Sequence, residues 1–137
     1  MPSLQQRLAS VLRDVLPVEE ETDGGLTVHH DGTFASLRVV NIVADLDLIS
    51  LIQIVAWDLP LAQELSDQVA RHGRDTNFGS VTLVEKVLEE DGAKTADVML
   101  RYNFPGAGLT DDALRTLILL VLDTGAQIRR NLTRDPT

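Results

Sequence analysis

The chain of 137 residues contains no cysteine, which excludes disulfides, thiolate-bound zinc, iron–sulfur clusters and a cysteine nucleophile. Aromatic residues are scarce, at 4%, and no basic cluster is interleaved with them to form a stacking platform for bases. Positive charge is also in deficit: 12 Lys and Arg stand against 21 Asp and Glu, a net charge of -9. That average field repels phosphate backbones and anionic lipid, so neither nucleic acid nor membrane is expected as a partner. Long apolar runs are missing as well. The longest, Leu117 to Leu122, falls far short of the ~20 residues that a membrane span needs. The amino-terminal stretch MPSLQQRLASVLRDVLP is amphipathic and charged through its middle, unlike a signal peptide, so a cytoplasmic location is expected.

What is present is periodicity. Ser3 and Gln6 form a capping-box pattern, and Leu4, Leu8, Val11, Leu12, Val15 and Leu16 follow at helical spacing until Pro17. Val18 to Gly25, with three consecutive glutamates and an Asp-Gly-Gly, is expected to be a solvated loop. From Leu26 the period becomes two, and Asp31-Gly32 between extended runs predicts a hairpin. Leu48 to Trp57 is apolar on both faces, as expected of a central strand. Asp58-Leu59-Pro60 predicts the start of a second helix, with Asp58 as its cap, carrying Leu61, Leu65 and Val69 and ending near Gly73. Phe78 to Leu88 and Ala96 to Phe104 form a second extended pair around a loop at Glu89 to Lys94.

The last stretch, Arg101 to Leu132, organises the rest: a strand end, a Pro105-Gly106 turn, and a long helix capped by Thr110 with Asp111 and Asp112 in its first turn. Leu114, Leu117, Ile118, Val121, Gly125, Ile128 and Leu132 share one face. Leu119, Leu120 and Leu122 lie off it and, with Ile54 and Trp57 of the central strand, make the candidate partner or dimer surface. The whole predicts one α+β domain over residues 1–137, with a core at 3–132 and a short disordered tail at 133–137. Its antiparallel sheet of about five strands packs against three helices in the order α-β-β-β-α-β-β-α.

Chemistry is harder to find. Gly106-Ala107-Gly108 links strand to helix but lacks both a dinucleotide fingerprint and a P-loop, and two aspartates follow it. His29 and His30 point to opposite faces of a strand and are not placed to share a metal. His72 lies near a helix end, and no nucleophile elbow or metalloprotease motif is present. No catalytic residue, cofactor or metal ligand is therefore expected. The alternative is a small-ligand binder or enzyme with a pocket between sheet and helices that uses His30 or His72.

The segments NFGSVTLVEKVLEEDG, DVMLRYNFP and GLTDDALRTLILLVL, with the element order, resemble the YbjN-domain family over roughly Gly25 to Leu132. Proteins of that family are labelled bacterial sensory transduction regulators and share the fold of type III secretion chaperones. The resemblance implies a small, non-enzymatic bacterial module, homodimeric, that uses a sheet and flanking helices to hold another polypeptide.

Overall fold

The computed structural model describes residues 2–87 and 92–133. In chain order it contains α1 (Leu4–Arg13), β1 (Val18–Glu20), β2 (Leu26–His30), β3 (Thr33–Val43), β4 (Leu46–Pro60), α2 (Gln63–Asp75), β5 (Ser80–Val87), β6 (Lys94–Pro105) and α3 (Asp111–Leu132). The six strands form one antiparallel sheet in the order β1-β2-β3-β4-β6-β5, so the α+β class holds and β4 is central. Residue 88 at the end of an expected strand, residues 89–91 of the expected second loop, and 134–137 of the expected disordered tail lie outside the described residues.

The helix starts form as their local chemistry dictates. Ser3 Oγ accepts from the Gln6 N–H at 3.1 Å and Gln6 Oε1 accepts from the Ser3 N–H at 2.8 Å, closing the capping box. Thr110 Oγ1 accepts from the Ala113 N–H at 3.1 Å at the start of α3. Arg7 of α1 then ties the two helices together, donating to Asp111 Oδ1 at 2.9 Å and to the carbonyls of Ala107 and Leu109.

Two expectations are corrected. Val18 to Glu20, expected to be loop, is an edge strand: Val18 pairs with Val28 and adds an apolar side chain to the core side of the sheet. The acidic run beyond it is ordered by a cation from β3, because Arg38 pairs with Glu21 at 2.8 Å and with Asp23 at 2.7 Å. The Asp58-Leu59-Pro60 segment does not start a helix. It extends β4 to Pro60, with Asp58 at φ 57° in an irregular stretch of the β4–β6 pairing. Lys86 explains this local preference: it bridges Asp58 at 2.5 Å and Asp97 at 2.9 Å, and Asp97 also accepts the Asp58 N–H at 3.0 Å. The carboxylate expected to cap a helix instead pins a bulge, and α2 begins after Ala62 with no side-chain cap.

Donation from the Gly25 N–H, followed by the Arg38 guanidinium, holds the Asp23 carboxyl below its ordinary value of 3.8. This acid's contribution to stability is therefore full above its unfolded pKa and disappears as pH falls through the lower folded one. In an NMR titration, Arg38→Gln is expected to move the Asp23 pKa only part of the way back, because the Gly25 N–H remains. Full recovery would assign the whole effect to Arg38.

Strand alternation sorts the sheet into two faces. Leu26, Val28, Ala35, Leu37, Ile49, Leu51, Val98, Leu100 and Phe104 face α1 and α3 and are buried with Leu8, Leu12, Leu114, Ile118 and Val121. Leu65 and Val69 of α2 continue this core, and α2 packs on β5. Gln53 is a polar residue in that layer, completely buried, donating to Thr33 Oγ1 at 2.9 Å and to the Leu122 carbonyl at 3.0 Å. All three helices pack on this side. The opposite face of the sheet has no described helix on it.

Candidate protein-binding face

The strand register lines up the uncovered side chains. His29 pairs with Phe34, Phe34 with Ile54, Ile54 with Met99 and Met99 with Thr82, a single row across five strands. Its neighbour runs Thr27, Ser36, Ile52, Arg101 and Ser80. Cross-strand packing holds such rows in place, and here the aromatic end is most defined. The ring centroids of His29 and Phe34 are 6.4 Å apart, and those of Phe34 and Trp57 are 5.8 Å apart.

Trp57 is 41% exposed, yet its ring is fixed on two sides. Arg129 reaches from the end of α3, donates to the Val55 carbonyl at 3.1 Å and places its guanidinium 4.6 Å from the Trp57 ring centre. An indole held between Phe34 and Arg129 loses little side-chain freedom on contact with a partner, which is the property of a binding anchor. At the other end of the face the β3–β4 hairpin exposes Val40, Ile42, Val43 and Leu46.

Charge is sparse along the row. Toward its flanks Arg38 pairs with Glu21 and Asp23, and Lys86 with Asp58 and Asp97, so each cluster keeps one excess negative charge, while Arg101 is a cation without a hydrogen-bond or ion-pair partner among the described residues. The row itself, His29, Phe34, Ile54, Met99 and Thr82, holds no Asp, Glu, Lys or Arg.

The structure divides the candidate surface expected from sequence. Ile54 and Trp57 belong together on this face. Leu119, half-buried, and Leu120, 47% exposed, sit on α3, which packs on the other face of the sheet. Leu122 is wholly buried and is removed from any surface: α3 is enclosed over an arc wide enough to include a leucine just off its main stripe. Phe34, Ile52 and Met99 were not singled out from the sequence. The alternation in TFASLRVV marks Phe34 as opposite to Ala35 and Leu37, but says nothing about which side the helices cover.

The two histidines of the enzyme alternative lie in different places. His72 lines an open, polar cleft between α2 and α3 with Gln68, Arg71, Asp75 and Asn131. His30 has the carboxylate partner, Asp123 at 2.6 Å, but does not line that cleft. The Gly106 turn is occupied by structure: a Cβ there would lie 2.6 Å from Ile49 Cδ1, and Arg7 takes the neighbouring carbonyls.

No protein-family model matches the sequence, and no curated protein sequence does. A solved structure does: the crystal structure titled "YbjN, a putative transcription regulator from E. coli" matches with a TM-score of 0.60 over 95% of this chain and 90% of that one. The fold is YbjN-like. At 12% identity, that likeness establishes architecture and leaves function to the residues of this chain. The sixth strand adds to the sheet of about five strands expected from sequence, and no described helix is long and apolar enough to cross a membrane.

Proposed function

We propose that this protein is a non-enzymatic binding or regulatory module of the bacterial cytoplasm, homodimeric, whose uncovered sheet face engages another polypeptide. One observation carries the reading: an apolar row of Phe34, Ile54 and Met99 lies on a sheet face with no described helix over it, beside a Trp57 ring already fixed by Phe34 and Arg129. Contiguous apolar surface of this kind is characteristic of contact sites, and binding energy concentrates at aromatic anchors such as Trp. Self-association through this face also avoids the strongest repulsion, since the row carries little of the net charge of -9.

Light scattering tests the dimer. Wild-type protein is expected at twice the 15.0 kDa chain mass. Ile54→Asp places a charge in the centre of the row and is expected to give a folded monomer, whereas Leu120→Asp leaves the mass unchanged. Dissociation by Leu120→Asp alone would move the interface to α3.

A further inference from the structure

We propose that His30, Asp31 and Asp123 form a binding site for one divalent cation of the zinc class, joining the β2–β3 turn to α3. One ligand atom from each residue lies within 4.8 Å of the others. His30 Nε2 is 2.6 Å from Asp123 Oδ1 and 3.8 Å from Asp31 Oδ2. Around an ion with bonds of about 2.0–2.2 Å, neighbouring ligand atoms stand about 3–3.5 Å apart. The two His30 separations bracket that spacing, and the two carboxylates lie within 4.8 Å of each other, so side-chain rotations that draw the carboxylates around one point would complete a three-ligand arrangement.

The chemistry selects the ion. An imidazole with two carboxylates suits Zn²⁺, and also Co²⁺ and Ni²⁺, whereas calcium and magnesium take oxygen ligands. Neither Asp31 nor Asp123 has a Lys or Arg ion-pair partner among the described residues. The nearby Arg129 is engaged by the Val55 carbonyl and the Trp57 ring. Two carboxylates around one imidazole therefore concentrate negative charge that a cation neutralises.

The ligands stand on fixed supports. Asp31 and Gly32 form a tight turn at φ 46° and 82°, closed by Thr33 Oγ1 donating to the His30 carbonyl at 2.7 Å. Asp123 lies within a 22-residue helix. Side-chain alternation sends His30 toward α3 while its neighbour His29 joins the aromatic row on the opposite face. A bound ion would clamp the hairpin to α3 beside the Arg129–Trp57 contact. Its role is structural and independent of what the open face binds.

Zinc chloride is the probe, added to chelator-treated wild-type protein in calorimetry. One saturable ion per chain is expected, with a rise in melting temperature because only the folded state holds the three ligands together. His30→Gln and Asp123→Asn are each expected to weaken binding at least tenfold, while a His29→Gln/His72→Gln variant keeps it. Substoichiometric Co²⁺ with wild-type protein gives a readout that needs no mutant: amide signals at residues 30–31 and 123 should broaden first. Absence of saturable binding up to about 1 mM, unchanged affinity in the two ligand variants, or broadening centred on His72 would each overturn the proposal.

Discussion

Replacing Gly125 with alanine is expected to destabilise the protein strongly, although alanine is the better helix former. Gly125 lies in the buried side of α3 directly over Gln53, and an added Cβ would sit 2.0 Å from Gln53 Oε1 and 2.2 Å from its Cδ. The Gln53 side chain has no freedom to withdraw, because its amide donates to Thr33 Oγ1 and to the Leu122 carbonyl. Helix propensity favours alanine by about 1 kcal/mol. Against it stand overpacking of about 1–3 kcal/mol and two buried hydrogen bonds worth about 1 kcal/mol each. A net loss of about 3 kcal/mol is expected, or roughly 10 °C in melting temperature for a domain of this size. Calorimetry on the single variant, and on Gly125→Ala combined with Gln53→Ala, checks the mechanism. The second change should recover part of the first, whereas simple additivity would show that the glycine is needed for some other reason.

Leu122→Asp has a still larger expected effect. Its side chain is completely buried in the core beneath α3. Removing it forfeits about 2–5 kcal/mol of burial and packing, and the carboxylate put in its place must remain unpaired or take up a proton. The sum approaches the whole stability of a typical domain, so circular dichroism should show an unfolded chain at 25 °C. Leu120→Asp, two residues earlier and 47% exposed, should change stability by less than about 0.5 kcal/mol. Equal behaviour of the two variants would contradict the placement of α3.

That contrast marks where sequence stops being informative. The starts of α1 and α3 are legible because a cap and its partner lie three residues apart, as with Ser3 and Gln6 or Thr110 and Ala113. The Asp31-Gly32 hairpin is legible for the same reason. β1 is not, since its glutamates look solvated until Arg38 is brought against Glu21 and Asp23 from β3. Asp58 reads as a cap from its local sequence, and only Lys86 and Asp97, both distant in sequence, hold it in a bulge. The candidate surface is half legible. Ile54 and Trp57 follow from an apolar central strand, but a helical wheel cannot show that α3 is enclosed widely enough to bury Leu122, nor that all three helices choose one side of the sheet. The pairing of His30 with Asp123 joins residues 93 apart and leaves no local pattern.

The claim that the uncovered sheet face is the contact surface is tested most directly by hydroxyl-radical footprinting of wild-type protein over a dilution series. The face carries its own reporters, Phe34, Trp57 and Met99, while Leu119 and Leu120 report on α3. At concentrations where the proposed dimer forms, Phe34, Trp57 and Met99 should be protected, and dilution should expose them while the α3 leucines react at a constant rate. Constant reactivity of the three face residues, with protection appearing instead at Leu119 and Leu120, would contradict the account.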